Sequence, residues 1–172
     1  NMALLSMMSV SNADLTNAET SESFTWSFDS SNNTESFDYL ASGESLVLTY
    51  VLTATDSNSG TGTQTVAVTI NGTNDAPTIT VESGDANSGS LSESNSTLSV
   101  SDTLTLSDVD VTDTSSVAVS SVSMSGTTSG LDSDNTALLA MMSVSNADLT
   151  NAETSESFTW SFDSSSNTES FD

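Results

Sequence analysis

No lysine, arginine or histidine occurs in this chain, so nothing in it can pair with its 24 Asp and Glu side chains or offset the formal charge of −24. A folded protein usually intersperses both signs, because a net charge far from zero repels itself in the compact state. Without cations the chain cannot neutralise phosphates, which excludes nucleic acid as a direct partner and disfavours anionic membrane surfaces. Cysteine is absent, so neither disulfides nor thiolate metal sites hold the fold. The absence of histidine removes the commonest general base and the usual zinc or copper ligand. No apolar run approaches the roughly 20 residues of a membrane span, and no signal peptide is visible. Proline occurs once, at Pro77. Ser and Thr fill more than a third of the positions, a composition that leans towards disorder, whereas 34 % hydrophobic residues in period-2 patterns lean towards order. Order is expected when outside cations supply the missing charge, and calcium, a hard ion with oxygen ligands, is the natural candidate.

What the chain does have is a repeat. Residues 1–38 and 135–172 differ at three positions only: Met2 against Thr136, Ser6 against Ala140, and Asn32 against Ser166. Asn1 matches Asn135, which sets a 134-residue period. The chain therefore reads as one full period plus a 38-residue overlap, with ends that fall inside domains.

Strand patterning is clearest over 44–56, ESLVLTYVLTATD, where Leu46, Leu48, Tyr50, Leu52 and Ala54 alternate with Val47, Thr49, Val51, Thr53 and Thr55. A Gly-rich turn at 57–62 and a second alternating run at 63–70, with Val66, Val68 and Ile70 on one face, predict a hairpin. The proline-containing stretch 71–77, NGTNDAP, reads as an inter-domain linker. Beyond it, strands are expected at 78–82, with Ile79 and Val81 on one side, over Leu98, Val100, Leu104 and Leu106 with a bend near Ser101-Asp102, and at 117–124. Phe158, Trp160 and Phe162, like Phe24, Trp26 and Phe28 before them, alternate with polar residues and are expected to anchor the core. The run 137–144, ALLAMMSV, fits a helical turn or a covered strand, and periodicity leaves both open. The predicted fold is all-β: tandem antiparallel β-sandwich repeats with the 134-residue period. Residues 1–76 form the C-terminal part of one repeat, including the linker 71–76, and 77–172 form the N-terminal part of the next.

The densest carboxylate cluster is Ser107-Asp108-Val109-Asp110-Val111-Thr112-Asp113. In an extended chain Asp108 and Asp110 point the same way, about 6.7 Å apart at roughly 3.3 Å per residue. Two oxygen donors then converge on one ion if the strand curves or ends there, and calcium's 6–8 oxygens require further segments to contribute. The spacing does not fit an EF-hand, which needs a Gly turn and a distant Glu in register. Nothing sets an acid and a base across a cleft, so no glycosidase or other enzyme is expected.

The segment LASGESLVLTYVLTATDSNSGTGTQTVAVTINGTNDAP resembles the C-terminal half of a VCBS repeat, and LSESNSTLSVSDTLTLSDVDVTD resembles the N-terminal half. These are cadherin-like or Ig-like extender domains of giant bacterial adhesins exported by type I secretion (RTX adhesins). The linker NGTNDAP is similar to the calcium linkers of cadherins. The resemblance implies Ca2+ at the domain junction, with Asn74 and Asp75 joining Asp108 and Asp110. It implies the corresponding site of the preceding domain for Asp56, and the next junction for Glu93. Asp113 either completes one of these sites or is solvated. It further implies an extracellular location on a bacterial cell surface, and a calcium-stabilised spacer role in surface attachment or biofilm. Neighbouring repeats of the same chain are then its partners. The 134-residue period is longer than usual for the family, and the excess at 127–155 takes no role from the resemblance. Two further readings stand beside this one. The first is an extracellular filament or matrix fibre whose repeats associate between chains. The second is a glycan-binding module using Trp160 and the insert.

Overall fold

The computed structural model describes residues 2–11, 14–16, 18–32, 35–131, 135–166 and 171. The chain forms two compact units, Asn1–Thr73 and Asn74–Asp172. Among the described residues every strand pair is antiparallel, and helix is limited to two five-residue turns and two 3-10 turns. The fold is all-β.

The first unit contains α1 (Met2–Ser6), β1 (Met8–Ser11), β2 (Thr25–Phe28), a 3-10 turn (Ser30–Asn32), β3 (Ser45–Thr55) and β4 (Thr61–Asn71). β3 and β4 form the hairpin that their alternation predicts, in continuous register from Ser45↔Asn71 to Thr55↔Thr61. Period-2 sequence becomes period-2 burial: Leu46, Leu48, Tyr50 and Leu52 turn inwards with Val66, Val68 and Ile70, while Val47 and Val51 face out. Tyr50 packs its ring on Phe28 and donates its hydroxyl to Leu4 O at 2.8 Å. Met7, Leu40, Ala41 and Tyr50 are the buried apolar residues of this unit.

The second unit contains β5 (Thr78–Thr80), β6 (Ser99–Ser107), β7 (Ser115–Ser116), α2 (Asn135–Leu139), β8 (Met142–Ser145), β9 (Asp148–Leu149), β10 (Ser155–Asp163) and a 3-10 turn (Ser164–Ser166). A four-stranded sheet runs in the order β5-β6-β10-β8, and β7 pairs with β9. The run 137–144 proves to be both of its readings in succession, a helical turn and then a strand. Two expectations need correction. β6 is unbroken through Ser101-Asp102, because β10 pairs with it residue by residue from Ser99 to Ser107. The strand expected at 117–124 is absent: the ladder covers Ser115–Ser116 only, and Val117 N donating to Ala147 O is its last backbone bond to that edge. Burial still alternates there without a ladder partner.

The core of this unit is Leu106, Ala147, Leu149 and Phe158, flanked by Leu104, Val117 and Val144. Full burial of Phe158 and of Leu149 contributes roughly 1.5–3 kcal/mol each. The segment 82–89 lies against β6: Ala86 N donates to Thr103 O, and Trp160 Nε1 donates to Ala86 O at 2.6 Å.

The repeated sequence folds alike in both units. Met8↔Phe28, Ser9↔Ser27, Val10↔Trp26 and Ser11↔Thr25 are matched one period later by Met142↔Phe162, Ser143↔Ser161, Val144↔Trp160 and Ser145↔Thr159. Burial does not repeat. Phe158, in the core with Leu106, Ala147 and Leu149, is 2 % exposed, whereas its counterpart Phe24 is 47 % exposed and Trp26 44 %. Of the aromatics expected to anchor the core, Phe158 alone is fully buried, Phe28, Trp160 and Phe162 are half-buried, and Phe24 and Trp26 are exposed.

Candidate metal centre

The acidic cluster lies where β6 ends. The last rung of the β6–β10 ladder is Ser107↔Ser155, and Asp108 N then donates to Thr154 O at 3.1 Å as the chain leaves the sheet. The Asp108 carboxylate folds the loop back on itself. Its Oδ1 accepts from Asp110 N at 3.2 Å, an Asx-type turn, and its Oδ2 accepts from Ser115 Oγ at 2.7 Å. Asp113 N donates to Asp110 O at 3.1 Å, closing a turn over 110–113. From outside the loop, Ala152 N donates to Val111 O at 2.7 Å. Val109 is left exposed in the turn between the two aspartates.

Both aspartates are buried, Asp110 completely. Asp110 Oδ2 accepts from Asp75 N at 2.8 Å, and Asp110 Oδ1 is a buried oxygen without a hydrogen-bond partner. A buried ionised carboxylate lacking a cation costs several kcal/mol, and no side chain of this protein can supply that cation. A hard metal ion answers the need with oxygen coordination, so the donor chemistry fits Ca2+. Among the described residues no three acidic side chains converge closely enough to hold an ion alone. An ion held by Asp108 and Asp110 would need backbone carbonyls, amide oxygens or water to complete its shell, all of which calcium accepts.

The sequence-predicted residues fall into three groups. Asp75, Asp108 and Asp110 are brought together, and Asp113 joins them through its backbone with a half-buried side chain. Asn74 is exposed beside them, its Nδ2 donating to Asp75 O at 2.7 Å. Asp56 belongs to the first unit and shapes the β3–β4 turn, its Oδ1 accepting from Asn58 N at 2.9 Å and from Gly60 N at 2.7 Å. Glu93 is exposed in the loop between β5 and β6.

Sequence reasoning missed Ser115, Ala152 and Thr154, which brace the loop. Thr154 and Ala152 act through main-chain groups, which leave no residue-type signal. They belong to the stretch 127–155, so part of that insert serves the structure. Its β9 pairs with β7, and the turn after β9 holds the acidic loop. Comparison with protein-family models and with curated proteins finds no match to this chain.

Proposed function

We propose that this chain is a calcium-stabilised spacer of a large extracellular bacterial adhesin, with VCBS-type β-sandwich repeats that project a binding domain from the cell surface. The observation that carries the proposal is Asp110: a fully buried carboxylate with one oxygen unpartnered, in a chain without a single cationic side chain. Calcium held by Asp108 and Asp110, with Asn74, Asp75 and Asp113 at its rim, ties the linker to the loop that follows β6. Asp56 and Glu93 serve equivalent sites completed by other repeats. Ions at each site offset the 18 carboxylates of one period, which are the 24 of the chain less the six in 1–38. Near-identity of the two 38-residue overlaps suits a mechanical array better than a set of unique receptors.

Thermal unfolding of the chain with calcium, with magnesium and with chelator tests the reading. Calcium should raise the midpoint, and magnesium should do so much less, because magnesium demands near-octahedral geometry and dehydrates reluctantly. Equal midpoints in calcium and chelator would sink the metal site. Small-angle scattering of a multi-repeat array then tests the spacer role: a length and stiffness indifferent to chelator would refute it.

A further inference from the structure

Asn71–Gly72 is the one Asn-Gly pair in the chain, and the fold both requires its glycine and encloses it. Asn71 is the exposed last residue of β4 and pairs with Ser45 at the end of the ladder. No side chain fits at the next position, because a Cβ on Gly72 would lie 2.2 Å from Ala41 O and 2.3 Å from Leu40 O. The turn carrying those carbonyls is itself tied down. Glu44 Oε2 accepts from Ala41 N at 3.0 Å, Glu44 N donates to Ala41 O at 3.1 Å, and Glu44 O accepts from Gly72 N at 2.9 Å. Packing thus demands at position 72 the residue that leaves the preceding asparagine most open to attack by the backbone, since glycine crowds its own nitrogen least.

We propose that Asn71 is a deamidation site controlled by opening of this hairpin end, so that it records local unfolding covalently. In the open chain the Gly72 nitrogen gives its proton to hydroxide and attacks Asn71 Cγ. The new N–Cγ bond closes a succinimide ring as the Cγ–Nδ2 bond breaks, and Nδ2 leaves as ammonia. Water then opens the ring. Cleavage at Cγ gives aspartate, and cleavage at the main-chain carbonyl carbon gives isoaspartate, whose backbone runs through Cβ and Cγ. Water is the one co-reactant, and no redox change occurs. The folded chain blocks this route twice. The Gly72 N–H is bonded to Glu44 O, which shields it from hydroxide. The ladder holds Asn71 extended, and the Leu40 and Ala41 carbonyls leave no room beside Gly72 for ring closure. Strand ends are where local opening begins. Isoaspartate lengthens the main chain by one methylene where Gly72 has no space to spare. The Ser45↔Asn71 register and the Gly72 N–H to Glu44 O bond then cannot both reform. Either product also adds a carboxylate to a chain that has no cation to pair with it.

Ageing the full chain in mildly basic buffer, native and in urea, tests the proposal, with tandem mass spectrometry of chymotryptic peptides as the readout. In urea Asn71 should deamidate before any other asparagine, gaining about 1 Da as its amide becomes a carboxyl. In native buffer the Asn71 rate should fall by about tenfold or more, in proportion to the fraction of time the hairpin end is open. Glu44→Ala removes the carboxylate that holds Ala41 N, so it should speed the native reaction and leave the rate in urea unchanged. A Glu44→Ala chain that fails to fold would react at the urea rate in both buffers, which is the same direction. After ageing in urea and refolding, the isoaspartate chains should leave the Gly72 amide open to hydrogen exchange. Asn71→Ser, which cannot close the ring, should recover its protection fully. Equal native and urea rates for Asn71 in the wild type would overturn the proposal, as would another asparagine reacting first in urea. Isoaspartate chains that regain Gly72 protection would overturn the covalent record.

Discussion

Asp75 donates its backbone N–H to Asp110 Oδ2 at 2.8 Å, across 35 residues of chain, leaving Asp110 Oδ1 as a buried oxygen without a partner. One oxygen thus holds the Asp75 main chain, while the other has no hydrogen-bond partner among the described residues. Two residues expected as ligands, from separate segments of sequence, meet at this bond.

Asp110→Asn separates charge from shape. The substitution removes a buried negative charge, so stability in chelator should hold or rise. The calcium-dependent gain should vanish. Binding at a hundred times the dissociation constant stabilises by about 2.7 kcal/mol, and a unit of this size shifts by roughly 4–8 °C per kcal/mol. Differential scanning calorimetry should therefore show a wild-type shift on the order of 10 °C or more that the variant lacks. A variant that keeps the full shift would remove Asp110 from the site.

Ala152→Gly should stabilise the fold. Ala152 has φ of 75°, as does its counterpart Ala18 at 77°, so both place a Cβ in the left-handed region. That conformation costs roughly 1–2 kcal/mol for an L-residue, and glycine relieves it against a larger loss of chain entropy on folding. The net gain should be about 0.5 kcal/mol, read as a higher urea midpoint with unchanged slope. The Ala152 N–H to Val111 O bond does not involve the side chain, so calcium response should be unaffected.

The same two copies show how far sequence alone reaches. The β3–β4 hairpin is legible because alternation, turn composition and strand length all agree. The pairing of β1 with β2 and of β8 with β10 is local enough that near-identical sequence yields identical register. Burial is not local: Leu149 is 1 % exposed because Leu106, Ala147 and Phe158 pack around it, and two of these three come from other strands. Asp108 and Asp110 were legible as a carboxylate pair, and Asp75 as their companion through the resemblance. The brace from Thr154 and Ala152 was not, since any residue type carries those main-chain groups.

Gly72→Ala should be among the most damaging single changes in the first unit. A Cβ on Gly72 would lie 2.2 Å from Ala41 O and 2.3 Å from Leu40 O, and both are backbone atoms that cannot rotate away. Gly72 N also donates to Glu44 O at 2.9 Å, fixing the end of β4 to the start of β3. Overpacking of this kind costs about 1–3 kcal/mol even when side chains yield, so the loss should reach or exceed that range. Urea unfolding should show the first unit melting early, while the calcium-dependent transition of the second is preserved. Wild-type stability in this variant would mean that the Leu40–Ala41 backbone can move aside.

Acid should expose the contribution of Asp85. Its Oδ1 accepts from Thr103 Oγ1 at 2.6 Å, and its Oδ2 accepts from Thr105 Oγ1 at 2.9 Å and from Glu82 N at 3.1 Å. The Thr103 hydroxyl above all, then the Glu82 amide, hold its carboxyl below the ordinary value of 3.8, while burial pushes the other way and Thr105 adds a smaller downward pull. A carboxyl with a depressed folded value binds fewer protons in the native state than in the unfolded one. Its stabilisation is therefore complete above the unfolded value and is lost as pH falls through the folded one. Asp163, Glu153, Asp29 and Glu19 act in the same direction, through the hydroxyls of Ser165, Thr150, Ser31 and Thr16 first. General repulsion among carboxylates weakens over the same range, so the comparison must be between chains rather than between pH values. Asp85→Asn should be less stable than wild type above about pH 5, with the gap narrowing below about pH 3 as the wild-type carboxyl protonates. Urea midpoints of both chains from about pH 2 to pH 6 measure that gap. A gap that stays constant across the range would mean that Asp85 contributes shape rather than charge to the bond with Thr103.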